Sequence, residues 1–311
     1  MKTLTRDAFG RARDFLKTQA RPLDRAMFEY RFEGAGTEHA LTELARFQNE
    51  DGGFGHALEP DLRTPTSSAL ATGIGLSLLK ELHCPAEHPL VRGAVGYLLD
   101  TFNAEAAVWR VAPLDTNQFP HAPWWHDEDG SLARTFDHFR IIPRAQIVGL
   151  LHHYSELVSL EWLDELTEHT VRYIETVEPL GTGGGDDLSY ALSLAETDDL
   201  PQPFKGRLVK RVRAVTPQVI SRDPQEWETY TIMPLKLVSS PASLVTDLIW
   251  DEVQAHLDYQ IDHQTPEGTW DPVWTWSEFY PAVWEDARRE WRGHLTLGTL
   301  MVLRAFGRME T

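Results

Sequence analysis

The chain has 311 residues, enough for one large core or two modest domains. Hydrophobic residues at 42%, with 10% aromatic, mark a folded globular protein rather than a disordered one. The excess of 47 acidic over 29 basic residues gives a formal charge of −18. That argues against a nucleic-acid or anionic-membrane surface, while a local arginine cluster can still receive an anionic ligand.

The single cysteine, Cys84, leaves no disulfide framework and no cysteine-rich zinc site to build. The opening MKTLTRDAFGRARDF is charged and amphipathic rather than a signal sequence. No apolar run reaches the roughly 18 residues that a bilayer-spanning helix needs. The expectation is a soluble cytoplasmic protein without a transmembrane segment.

Taken in order, residues 5–18 and 23–33 read as short amphipathic helices divided by Pro22, and 38–48 carries Leu41, Leu44 and Phe47 at helical spacing. Thr66, Ser67 and Ser68 then supply an N-cap for a helix of small and apolar residues running to Leu82. Further pairs follow: 88–102 with 143–157, 161–176 with 186–196, 202–219 with 229–238, and 244–263 with 290–306. No alternating strand pattern competes with this reading. With the N-terminal pair the pattern gives about six helical hairpins, and the predicted fold is all-α, an (α/α)6 toroid forming one domain over residues 1–311. Loops entering the second helix of each pair are long (52–65, 103–140, 178–185, 220–228, 265–289), whereas the returning loops are short. In a toroid the long loops converge on one mouth, where binding groups concentrate.

One motif occurs twice. Gln48 is followed by Gly52, Gly53 and Phe54, and Gln264 by Gly268 and Trp270, each after a helical segment. This glutamine, glycine, aromatic spacing resembles the QW-type repeat of squalene and hopene cyclases and of protein prenyltransferase β subunits. The resemblance covers the two repeats and the helix after each. It implies an α/α toroid in which the glutamine caps a helix end and the aromatic ring packs on the neighbouring repeat. It also implies an isoprenoid substrate.

Four stretches carry candidate chemistry. The first holds His56, Glu59, Asp61 and Arg63. Proton-donating cyclases of the resembled family carry Asp-x-Asp-Asp before an inner helix. Here Asp61 stands at the start of that motif, and Arg63 and Thr64 stand where its second and third acids would be. An Asp–Arg pair, or an arginine beside a helix N-terminus that receives an anion, is the alternative. The second is Asp186-Asp187 after the glycine run 183–185. Adjacent acids in a dry site can keep one proton, and Asp is equally a helix-capping residue. The third is Trp124, Trp125, His126 and Asp127, two indoles beside titratable groups, suited to stacking on sugars or lining a cation-stabilising cavity. The fourth is the aromatic loop with Trp270, Trp274, Trp276 and Trp291, joined by Trp227 and Tyr230. Trp270 reads as framework, and the alternation of Trp274 and Trp276 lets one of the two face a cavity.

Cys84, the adjacent His152 and His153, and the Asp pairs lack the spacing of a zinc or a diphosphate-magnesium site, so no metal and no cofactor is expected. The leading expectation is a terpene-cyclase-like enzyme acting on an apolar small molecule. Asp186 or Asp187, or failing them Asp127, would be the acid, and Trp124, Trp125, Trp274 and Tyr230 the lining. A carbohydrate-active α/α toroid and a non-catalytic toroid that binds a ligand or protein are the alternatives.

Overall fold

In the computed structural model, which describes residues 1–181 and 183–310, the secondary structure is helical, with isolated bridges but no strand among the described residues. Contacts divide the chain into two compact units. One comprises Met1–Glu43, Gly183–Gly185 and Arg213–Thr311; the other Leu44–Thr182 and Asp186–Val212.

The helices are α1 (Arg6–Thr18), α2 (Pro22–Glu33), α3 (Glu38–Ala45), α4 (Ala69–Glu81), α5 (Pro89–Asp100), α6 (Ser131–Thr135) and α7 (Arg144–His153). After them come α8 (Leu160–Thr176), α9 (Asp186–Ala195), α10 (Gln202–Val219), α11 (Pro234–Leu237), α12 (Trp250–Asp262) and α13 (Pro281–Ala305). None of them is long and apolar enough to cross a membrane.

Starts follow local chemistry. Thr5, Ser68 and Ser159 each accept a hydrogen bond from an amide in the first turn of α1, α4 and α8, the role expected of Ser68 from the sequence. Pro sits at the start of α2, α5, α11 and α13, where its missing N–H costs nothing. Departures from expectation have local causes as well. The predicted helix 229–238 shrinks to the single turn α11. Thr229, Thr231 and Ile232 are β-branched, and Pro234 disfavours helix in the residue before it. The Ile232 carbonyl instead accepts from the Ser221 amide at 3.0 Å. In the other direction, α13 begins nine residues before the predicted 290, at Pro281.

In the second unit α4 packs on α5 and α7, and α7 also on α8 and α9. α4 and α7 are buried along most of their length, as small apolar sequences demand. In the first unit α1, α2 and α13 pack together, and α11 lies on α12.

The two motif copies make the same bonds. Gln48 Nε2 donates to the Gly52 carbonyl at 2.8 Å and to the Leu90 carbonyl in the first turn of α5 at 2.9 Å. Gln264 Nε2 donates to the Gly268 carbonyl at 3.0 Å and to the Ala8 carbonyl in α1, also at 3.0 Å. Both glycines have positive φ, 84° and 89°. A Cβ on Gly52 would collide with the backbone of Gly93 in α5, and one on Gly268 with that of Ala12 in α1. Only glycine permits both the dihedral and the approach. The motif is thus a clamp on another helix, α5 for the first copy and α1 for the second. In the first unit this fastens the last repeat to the first helix, beside the Leu4–Met309 bridge that joins the two ends of the chain.

Candidate functional site

The loop after the first motif is stitched to the segment around His121. The Ala122 amide donates to the Asp61 carbonyl at 2.8 Å, and the Arg63 amide to the Pro120 carbonyl at 3.2 Å. This buries Asp61 to 1% and Glu59 to 8% exposure, both far below what isolated carboxyls tolerate without compensation. Arg63 donates through Nη1 to the Pro60 carbonyl at 3.3 Å, closing the loop on itself. His56 is spent on the motif: its Nε2 lies 2.7 Å from Asn49 Oδ1, and its side chain is otherwise exposed.

Glu59 meets the second predicted stretch through Tyr190 on α9. Burial raises the Tyr190 phenol above its ordinary value, and the negative charges of Asp186 and Glu59 raise it further. Three groups able to hold protons therefore share one neighbourhood of the second unit. Two of them, Glu59 and Asp186, were predicted, and Tyr190 was not. Asp187 behaves differently. Both its oxygens accept from the Gly181 amide at 3.1 Å, and Oδ1 also from the Leu188 amide at 2.8 Å, so it organises the turn into α9.

The tryptophan loop separates into unlike parts. Trp125 is buried and stacked on Phe136 at 4.9 Å, which makes it an anchor of the loop; Trp124 is half-buried. His126 is exposed and stacks on buried His121 at 5.3 Å, with Nδ1 3.1 Å from His121 Nε2. Burial, reinforced by His126, lowers the His121 pKa despite a bond to the Phe119 carbonyl. Asp127 is clamped by Arg110 at 2.5 Å and accepts from the Leu132 amide at 3.2 Å. Arg110 holds its carboxyl below the usual range, the reverse of what a proton donor needs.

In the first unit the predicted aromatics sort by burial. Trp227 is in the core, with its Nε1 donating to the Ser221 carbonyl and its ring against His256 at 4.6 Å and Tyr259 at 5.3 Å. Trp276 is equally buried, edge-on to Trp284 at 5.3 Å. Both are core residues. Trp270 is buried framework, its Nε1 donating to the Gln260 carbonyl at 2.7 Å.

Trp274, alternate to Trp276, lies instead in a string of rings. Tyr230, 48% exposed, stands edge-on to Trp274 at 5.9 Å, and Trp274 edge-on to Trp291 at 5.0 Å. Trp291 in turn meets His294 at 5.6 Å. Lys236 caps the other end, with its ammonium 4.3 Å from the Tyr230 centroid and 3.2 Å from its hydroxyl. Gly184, with φ of 74°, allows the Tyr230 ring against the backbone, since a Cβ there would come within 2.5 Å of it.

His294 has exposed surface, yet desolvation by its surroundings lowers its pKa. Arg21 and Arg31 add to that lowering, and Asp24 opposes it. The sequence signal for His294 is weak, a lone histidine inside the aliphatic run of α13.

The set-aside histidines point apart, as adjacency on a helix dictates. His152 Nε2 is 2.8 Å from Thr167 Oγ1, and His153 Nδ1 is 2.9 Å from Asp199. Cys84 is buried, which raises its thiol pKa. In comparisons with known proteins, no family model, no curated protein and no solved structure matches the chain.

Proposed function

We propose that the protein is a terpene-cyclase-like enzyme that binds an elongated apolar ligand of the isoprenoid class along Tyr230, Trp274 and Trp291. The observation that carries this reading is the string of edge-on rings itself, half-buried at Trp274 and Trp291 and exposed at Tyr230, with a cation at one end and His294 at the other. Aromatic faces attract both alkene chains and the positive charge that develops when an alkene is protonated. On this reading Asp186 is the acid. It shares the Tyr190 neighbourhood with Glu59. Asp127 and Asp187, both spent on neighbouring groups, drop out of the role. The same proposal takes the hairpins as an (α/α)6 toroid, supported by two motif clamps that each reach another helix.

The test is calorimetry and thermal shift with farnesol beside a maltooligosaccharide. Farnesol is expected to bind, and Trp274→Ala to weaken it about tenfold through the lost ring contact. Asp186→Asn is expected to keep binding and to abolish conversion of the isoprenoid. Binding of the oligosaccharide alone would overturn the reading.

A further inference from the structure

Arg144 is the first residue of α7, a ten-residue helix whose N-terminus carries no side-chain cap. It is 2% exposed. Its Nη1 donates to the Ala107 carbonyl at 3.1 Å, whereas its buried Nε and Nη2 have no hydrogen-bond partner among the described residues.

Those two nitrogens form one edge of the guanidinium, the edge whose parallel N–H bonds match a pair of oxygens. Elsewhere in this chain the same edge is used in that way. Arg207 places Nε and Nη2 on Glu175 at 3.0 and 2.6 Å, and Arg21 places them on Asp24 at 2.8 and 3.2 Å. At Arg144 the edge is presented without its acid.

A second cation stands beside it. Arg140, one turn earlier and exposed, lies 5.2 Å from the centroid of the Tyr173 ring, and Arg144 lies 5.9 Å from the same centroid. Asp137 is the acid whose charge reaches Arg144, but the Tyr173 hydroxyl donates to its carboxylate. Burial and the charge of Arg140 together lower the Arg144 pKa to about 10, as expected of two guanidiniums gathered with too little compensating charge. The dipole of α7 adds to the local positive potential.

We infer that Arg144, with Arg140 and the first turn of α7, forms a binding site for the oxyanion group of a small molecule, a carboxylate or a phosphoryl group. Exposed Arg140 marks where that group enters, and the Nε–Nη2 edge of Arg144 receives two of its oxygens. The site lies wholly within the second unit and is independent of the aromatic string proposed for the apolar ligand.

Titration calorimetry at constant ionic strength, with chloride as reference and inorganic phosphate and acetate as probes, tests the inference. Saturable binding of either probe is expected: phosphate alone assigns a phosphoryl group, acetate alone a carboxylate. Arg144→Met is expected to weaken the bound probe about tenfold or more. Arg140→Gln, at an exposed position that leaves folding intact, is expected to weaken it severalfold. Arg172→Gln, an exposed control on α8, should bind as wild type. Absence of saturable binding of both probes to the wild-type protein overturns the inference. So does unchanged affinity in Arg140→Gln, or in Arg144→Met.

Discussion

His256 makes the stability of the first unit depend on pH with a sign and size that follow from its surroundings. The imidazole is 1% exposed on α12, packed on Trp227, and its Nδ1 accepts from the Leu235 amide at 3.2 Å. Burial, with a smaller push from His263, lowers its pKa to about 3 from an ordinary 6.5. Between those values the unfolded chain binds a proton that the folded chain refuses, so stability rises with pH across the window and is lost as pH falls below 6.5. At about 1.4 kcal/mol per unit, over the roughly 1.5 units from 6.5 down to 5, the loss from this residue alone is about 2 kcal/mol. The perturbation is His256→Gln, which removes the titrating group while keeping a polar side chain of similar reach. Urea denaturation at pH 8 and pH 5 reads the difference. Wild type is expected to lose about 2 kcal/mol more than the variant over that interval, whatever the offset between them at pH 8. Equal losses in the two proteins, or wild type gaining stability toward pH 5, would refute the reasoning.

The motif yields further expectations. Gly52→Ala places a Cβ against the Gly93 backbone at a dihedral L residues avoid, and should cost about 3 kcal/mol in chemical denaturation. Gly96→Ala, in the interior of α5 with open space around its Cα, should instead stabilise by about 0.5–1 kcal/mol. A destabilised Gly96→Ala would show that the packing around α5 is misread. Gln264→Ala removes the two Nε2 bonds, on Gly268 and Ala8, together with an exposed bond that Oε1 accepts from Arg11, and should lower stability by about 2 kcal/mol. Gln48→Ala should cost about the same, because its two bonds have the same kinds of partners. A cost confined to one copy would mean that the two clamps are not equivalent.

What could be read from the sequence was whatever local backbone chemistry decides. The spacing from Gln48 to Phe54 and from Gln264 to Trp270 was legible because a positive-φ turn against another helix admits only glycine, and because the glutamine must reach two carbonyls. The sorting of Trp274 from Trp276 was legible because neighbours two apart in an irregular loop still had to divide between core and surface. Trp227 was not legible. It sits beside acids in a loop, as a site residue would, and its burial comes from His256 and Tyr259 on α12, which no local pattern reveals. His294 and Arg144 escaped for the opposite reason: one is a single polar residue in an aliphatic helix, the other an ordinary-looking charge at a helix start. Each acquires meaning only from groups brought near by packing, the Trp291 ring beside one and the unfilled guanidinium edge of the other.

The two repeats also show how a conserved set of bonds leaves room for different loops. In each, the amide of the motif's aromatic residue donates to a threonine hydroxyl on the following helix, Phe54 to Thr72 and Trp270 to Thr296. These bonds span 18 residues in the first repeat and 26 in the second. The end points are chemically equivalent, so the difference of 8 residues is absorbed between them. That interval is where Glu59, Asp61 and Arg63 lie in one repeat, and Trp274, Trp276 and Trp291 in the other. Fixing the backbone at both ends of a loop makes insertions cheap, since closure entropy grows only slowly with loop length. The clamps carry the framework, and the intervals between them are free to carry chemistry. An acidic, buried interval in one repeat and an aromatic one divided between core and half-buried rings in the other are what such a framework permits without disturbing the helices that hold them.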